Sequence, residues 1–511
     1  MRAAVIDIGS SSIKLIIGEK VDDQIKVLES LKNMVPLGTN AFLKERISQG
    51  IINQTIAVIE RYKQVIKEYD VTSIKVIATN AVRVARNKDL FIDTVYRKTG
   101  FKIEVLNVGD VVYYIDSFLS LKLKKTYPIF EKNLLIAELG AGSLDISIME
   151  KGYTLINFGI PIGTLRLKQF KGKIEGSLEE INVAMNEYIE NELLSVKDDF
   201  PKLTIDDVIL IDERYTSFVH KILPDNKVES NFFQLKQKEA DAFLAKVTET
   251  NLDELARRYN IPTEVADTLD GYAIIVNTLL KLNKSNYIYI LETSLPEALL
   301  ANVLFNFELS KTTNKTNQLV SVANFLCRKY NVDLAHVKHV AQLSEILFND
   351  LKEILGLEEQ DSIYLILAGY LHDIGKFISN RSHHKHSEYI INSLNLFRLT
   401  DEDIKIIACI ARYHRRSSPL PAHILYSSLS SDKQILVQKL SSLLRMANAL
   451  DSSHKQKIKK LEVKINQKEE VSLVVTTPEN FILEKANFFE KKELFEELSG
   501  NRIALMIKSQ D

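Results

Sequence analysis

An acidic hairpin turn written twice constrains this chain more than any other feature. The run AVIDIGSSSIKLIIGEK spans 4–20, and IAELGAGSLDISIMEK begins at Ile136. At an offset of 131 residues, Asp7 falls on Glu138, Gly9 on Gly140, Ser12 on Ser143 and Glu19-Lys20 on Glu150-Lys151. Each copy reads as an apolar strand, an acid, a small turn and a second, alternating strand. Glycine at such a turn lets backbone N–H groups converge on an oxyanion, because no Cβ blocks the approach. The acid before the turn suits Mg²⁺, which neutralises phosphate oxygens. One such turn is only a hairpin. Two at equivalent places of a repeated unit, facing each other, form a clamp for a phosphate chain.

The surrounding pattern repeats as well. A third strand is predicted at Gln24–Lys32, a Ser48-capped helix runs to about Tyr69, and SIKVIATNAVRVARN reads as a buried strand entering a helix. FKIEVLN is then a strand and VVYYIDSFLSLKL a helix. From Asn133 the order restarts with a hairpin, a strand near 155–161, a helix near 178–195, the strand VILI, a helix and the strand YIYILE. This is one α/β layout run twice, helices covering mixed sheets. After the polar linker SKTTNKTN (310–317), the pattern becomes helical: 317–329, 333–354, 360–378, 386–394, 401–413 and 433–450. A tail follows, with strands at 461–467, 470–476 and 480–486, a helix near 490–498 and a last strand, RIALMI.

A chain of 511 residues exceeds one core. The division expected is 1–125 and 126–310 as two α/β lobes, 317–460 as an all-helical domain and 461–511 as a small α/β tail. No apolar run reaches the ~18 residues of a membrane span, and Asp7 interrupts the N-terminal stretch where a signal peptide would need continuity. Two cysteines, Cys327 and Cys409, exclude a disulfide framework, so a cytoplasmic location is expected. A net charge of −1 leaves no global nucleic-acid footprint, so a polyanion must be held locally.

The repeat resembles the actin/hexokinase/Hsp70 class (ASKHA, ribonuclease H-like) of phosphate-handling domains. More narrowly, LGTNAFLKERISQGIINQTIAVIERYKQVI, then Ala78–Asn87 (ATNAVRVARN) and INFGIPIGTLRLKQF, resemble the exopolyphosphatase/guanosine-pentaphosphate phosphohydrolase (Ppx/GppA) family. GYLHDIGKF, HHKHSEYII and ARYHRRSSP fit that family's helical C-terminal domain. The resemblance implies a phosphoanhydride hydrolase acting on inorganic polyphosphate or guanosine pentaphosphate, dependent on Mg²⁺ at the cleft, and a homodimer. It places Asp7, Gly9, Ser10 and Ser12 on one side of the cleft and Gly140, Gly142 and Ser143 on the other, with Arg83 as a phosphate-binding fork. Asp7, Glu138 and Asp110 are the implied catalytic acids, Asp110 orienting the attacking water.

The chain departs from the family pattern around that cleft. The usual S-G-x-E-E-A reads Asn107-Val108-Gly109-Asp110-Val111-Val112, and D-x-G-G-G-S-x-E reads E-L-G-A-G-S-L-D, ending at Asp145. A glycine-threonine loop reads Ile211-Asp212-Glu213-Arg214-Tyr215-Thr216 without glycine, and L-R-E-G reads Leu295-Pro296-Glu297-Ala298. Misplacing a catalytic group by ~1 Å costs on the order of a hundredfold in rate, so a weakened site is expected here.

Nine of the ten histidines lie between His336 and His454. His336, His372-Asp373, His386 and His414 resemble the arrangement of an HD-type metal-dependent phosphohydrolase. Where that pattern ends in Ala-Asp, this chain has Ala447-Asn448, with Asp451 one turn on as substitute ligand. Imidazole with carboxylate suits Mn²⁺, Fe, Zn²⁺ or Mg²⁺. His339, His383, His384, His423 and His454 read as surface or supporting residues, and Arg412, Arg415 and Arg416 as local positive charge. Two other readings stay open: hydrolysis by the helical domain with the α/β module as ligand sensor, and a non-enzymatic polyphosphate- or alarmone-binding regulator.

Overall fold

In the computed structural model, residues 1–22, 24–197, 203–223, 232–282, 285, 287–307, 314–394, 396–415, 419–466 and 470–508 are described. They form two compact units divided between Asn314 and Lys315. Part of the predicted linker, 310–313, lies outside the described residues.

The first unit holds two sheets built to one plan. Strands β1 (Arg2–Ile8), β2 (Ser12–Val21), β3 (Gln24–Met34), β4 (Ser73–Ala78) and β5 (Glu104–Val105) lie in the order β3-β2-β1-β4-β5. The second sheet contains β6 (Asn133–Leu139), β7 (Leu144–Glu150), β8 (Tyr153–Ile160), β9 (Asp207–Ile211), β10 (Phe232–Lys236) and β11 (Tyr287–Leu291). Its order, β10-β11-β9-β6-β7-β8, repeats the first with β10 added at the edge. In both, an antiparallel meander precedes parallel strands, so helices must cross over between the parallel members. FKIEVLN, predicted as a full strand, pairs only over two residues.

The helix Gln49–Glu68 shows how local sequence makes these elements. Ser48 caps it, its side chain accepting the Ile51 N–H, and Ile52, Val58, Ile59, Tyr62 and Ile66 bury one stripe. That stripe packs with Ile6, Ile8, Leu15, Val76 and Phe91 in one core. Each fully buried aliphatic side chain contributes about 1.5–3 kcal/mol relative to exposure. The halves also exchange helices: Val108–Lys122 packs on β7 and β8, and Leu295–Phe305 returns to β1 and β2. The linear boundary at 125/126 therefore does not separate the lobes in space.

The second unit packs the helices Lys315–Lys329, Leu334–Leu355, Ser362–Leu371, His383–Asn392, Asp401–Arg412 and Ser431–Ala449. The helix predicted over 360–378 stops at Leu371 and tightens into a 3₁₀ turn, Ile374–Phe377. Gly375 is the reason. A Cβ there would lie 2.2 Å from the His383 carbonyl oxygen and 2.3 Å from the Ser387 amide, so the turn docks directly on the next helix. In the tail, β12 (Lys460–Ile465), β13 (Val471–Thr476) and β14 (Ile503–Lys508) form one sheet. The strand predicted at 480–486 is instead the start of helix Ile482–Lys491, because the buried positions, Glu484 and Phe488, recur at helical spacing.

Candidate functional site

The two hairpin turns close in the same way. Gly9 N–H donates to the Ser12 carbonyl at 3.0 Å, and Gly140 N–H to the Ser143 carbonyl at 2.9 Å. They line one cleft with Asp7, Lys14, Asn80, Arg83, Val111, Glu138, Asp145 and Glu213. The predicted Asp7, Gly9, Ser10, Ser12, Arg83, Glu138, Gly140, Gly142 and Ser143 are all brought together here. The approach is backbone-close: a Cβ on Gly163 would lie 2.4 Å from the Gly142 carbonyl carbon and from the Ser143 nitrogen.

Register explains the charges. Asp7 pairs across the first hairpin with Lys14, and Glu138 across the second with Asp145. Burial lifts the Asp7 carboxyl to about 6, with Lys14 opposing and Glu213 adding to the rise. Burial also raises Glu138, and the facing Asp145 raises it further. Asp145 rises by burial against the pull of Arg83 and the Ser143 hydrogen bond. Lys14 donates to Glu213; burial alone would lower its ammonium, but Glu213 and Asp7 hold it above its ordinary value. Arg83 is steadied by a 2.9 Å bond from Nη1 to the Leu106 carbonyl.

Asp110 is not among the residues that line the cleft. It is the third residue of helix Val108–Lys122 and forms a capping box with Asn107: its Oδ2 accepts the Asn107 N–H at 3.2 Å, and its N–H donates to Asn107 Oδ1 at 2.8 Å. The neighbouring residue facing the cleft is Val111, which is 2% exposed. The carboxylate available beside Arg83 is Asp145, and Oδ1 of both Asp7 and Asp145 is buried without a hydrogen-bond partner. Such orphaned oxygens fit a divalent cation. Among the described residues the cleft acids do not converge tightly enough to enclose an ion by themselves. Mg²⁺, which keeps several waters and shares substrate oxygens, suits that spacing.

In the second unit, His336, His372, Asp373, His383, His414 and Asp451 are all buried. Three imidazoles donate Nδ1–H to backbone carbonyls: His372 to Gly369 (2.8 Å), His383 to Asn380 (3.0 Å) and His414 to Ala411 (2.6 Å). A carbonyl only accepts, so each Nε2 carries the lone pair. His383 Nε2 is 3.3 Å from Asp373 Oδ1 and 3.2 Å from His414 Nε2, and His372 Nε2 is 3.7 Å from Asp373 Oδ2. Burial lowers His383 and His414 and brings His372 down to about 4, keeping the rings neutral. Burial opposes ionisation of Asp373, but the surrounding imidazoles and Lys376, 2.5 Å from Oδ2, outweigh it and hold its carboxyl far below the ordinary range. Two groups lie close enough to share an ion: His336, Asp373 and His454, and Asp373, His383 and His414.

His386 belongs to neither group. The helix His383–Asn392 turns His383, Ser387, Ile390 and Ile391 inward and leaves His386 half-buried. Asp451 accepts from His336 Nδ1 at 2.8 Å and from the Gln456 N–H at 2.8 Å, so it orients an imidazole. Arg412 is paired with Glu388, and Arg416 lies outside the described residues. Sequence reasoning missed His383, Lys14, Asn80 and Glu213 as lining residues. Lys14 was legible, sharing strand parity with Ser12. The loop holding Glu213 was placed at the cleft only by the family resemblance; the parallel pairing of β9 with β6 is what brings it there.

Comparison with known proteins matches residues 16–306 to the Ppx/GppA phosphatase family and residues 320–497 to domain III of Ppx/GppA phosphatase. A guanosine-5'-triphosphate,3'-diphosphate pyrophosphatase of Pseudoalteromonas translucida is 20% identical over 87% of this chain and 86% of its own length. A bifunctional 3-dehydroquinate synthase/phosphatase of Fusobacterium nucleatum is 28% identical over 39% of this chain, which spans about a third (31%) of that relative. Among solved structures, an exopolyphosphatase from Cytophaga hutchinsonii superposes with a TM-score of 0.53 at 20% identity, covering 60% of this chain and 98% of that one. That likeness shows the actin-like fold of the doubled sheets. No described helix is long and apolar enough to cross a membrane. With its two family segments, its twinned phosphate-turn hairpins and its shared fold, the chain belongs to the Ppx/GppA phosphatase family.

Proposed function

We propose that the cleft of the first unit hydrolyses the phosphoanhydride bonds of inorganic polyphosphate or guanosine pentaphosphate. The observation that carries this is the pair of identically closed turns lining one cleft with Arg83 and the unpartnered oxygens of Asp7 and Asp145. Turn amides and Arg83 bind the terminal phosphate and hold it for in-line attack. Asp145, rather than the helix-capping Asp110, accepts the proton of a water whose oxygen bonds to the terminal phosphorus. The bridging P–O bond breaks, and the shortened chain leaves with its oxygen. Asp7 and Glu138, the acid before each turn, would hold Mg²⁺, which when bound would neutralise charge on the phosphate oxygens. With Val111 where the family carries a glutamate, turnover is slow. Phosphate release from tripolyphosphate and guanosine pentaphosphate tests this; no release from either, with Mg²⁺ present, defeats it.

A second reading is favoured by the three imidazoles whose Nε2 atoms gather at Asp373. In it the second unit is an HD-type domain that binds Mn²⁺, Fe, Zn²⁺ or Mg²⁺ through His336, His372, Asp373, His383 and His414, with Asp451 orienting His336. Such a centre supplies a Lewis acid for phosphoester chemistry. Asp373→Ala tests whether any phosphate release depends on it. A homodimer in the cytoplasm remains part of the proposal, since family resemblance supports it.

A further inference from the structure

Among the described residues lining the cleft, four carboxylates, Asp7, Glu138, Asp145 and Glu213, stand against two cationic side chains, Lys14 and Arg83. One of those two cations is already spent. Lys14, rising from β2, donates to Glu213 at the end of β9, an ion pair spanning the two sheets across the cleft. Its position is built. Asp212, 2% exposed, accepts the N–H groups of Arg214 at 2.7 Å and Tyr215 at 2.8 Å, and the hydroxyls of Thr216 at 2.9 Å and Tyr272 at 3.2 Å. With its neighbours pinned on both sides, Glu213 is held over Lys14 at the cleft lining while its own side chain stays 39% exposed. The loop contains no glycine to open an amide cradle in its place.

We infer that Glu213 competes with the phosphate chain for the Lys14 ammonium and so sets this cleft against bare phosphate anions. The inference rests on the phosphate-binding reading of the cleft. A phosphate entering beside Lys14 must displace a carboxylate that is tethered to the same site, and an intramolecular competitor acts at high effective concentration. Removing it frees one ammonium and deletes one repelling charge.

Calorimetric titration of the full chain with inorganic tripolyphosphate tests it, using wild type, Glu213→Gln, Lys14→Gln and the double variant. Glu213→Ser serves as a second substitution should the glutamine variant unfold. Glu213→Gln should bind roughly tenfold tighter, the order of one partly desolvated charge interaction, with a steeper loss of affinity in added salt. Lys14→Gln should bind more weakly, and in its background the gain from Glu213→Gln should largely vanish. If the gain persists undiminished without Lys14, Glu213 acts by general repulsion and the competition is refuted. Unchanged or weaker binding by Glu213→Gln, with wild type binding normally, refutes this inference alone. Absence of binding by every folded form refutes the phosphate-binding reading with it.

Discussion

His383→Ala should strip metal from the second unit, while His386→Ala should leave it bound. The two residues lie three apart on one helix, about 4.5 Å along its axis and about 60° apart around it. Metal–imidazole bonds are only about 2.0–2.1 Å long, so these residues cannot substitute for each other. His383 Nε2 sits 3.3 Å from Asp373 Oδ1 and 3.2 Å from His414 Nε2, the spacing of donors that share an ion. His386 has no place in either group. Deleting an orienting partner costs about 10–100-fold in affinity. Deleting a donor should therefore exceed about 100-fold, while Asp451→Asn, which alters only the support of His336, should fall within that range. Competition of Zn²⁺ and Mn²⁺ against a chelating dye, with elemental analysis of the purified chain and circular dichroism to confirm folding, measures all three. Equal loss in the His383 and His386 variants would refute the geometric argument. A metal-free wild type that binds neither ion would refute the centre itself.

Other outcomes follow from the first unit. Arg83→Ala should weaken tripolyphosphate binding by about 1.5–3 kcal/mol, the scale of a charge-assisted hydrogen bond; unchanged affinity would place the ligand elsewhere. Asp145→Asn should abolish phosphate release, whereas Asp110→Asn should retain most of it and lower stability by about 0.3–1 kcal/mol through loss of negative charge in the first helical turn; the opposite ranking in turnover would return the base role to Asp110. Asp116, held by Ser147 at 2.8 Å and Thr154 at 2.6 Å, is raised by burial to about 7. Between its unfolded value near 3.8 and that value the folded state binds the extra proton, so stability falls as pH rises through this window. Asp116→Asn should flatten that decline, read as denaturant midpoints from pH 5 to 8; an unaltered slope would mean that Asp116 is ionised throughout.

The duplicated hairpin, its acids and the α/β-then-helix order were legible because strand parity, glycine turns and helical spacing are local properties. The same local reasoning misjudged 480–486, where short apolar runs fit either period and only burial of Glu484 and Phe488 decides for a helix. It also missed the helix exchange between the sheets, since nothing in Val108–Lys122 says which sheet will cover its buried face. At the sites, sequence could name residue types but not their directions. Asp110 read as the acid that orients the water, and only the fold shows its carboxylate also closing a capping box with Asn107. His386 read as a ligand and His383 as a surface or supporting residue, whereas the fold buries His383 beside Asp373 and His414 and leaves His386 half-buried. Glu213 meets Lys14 only because strands some seventy residues apart in the chain pair and bring its loop to the cleft, an ion pair that the sequence did not announce. Which groups meet, and which are already spoken for, depends on long-range register and burial, and those are properties of the folded chain alone.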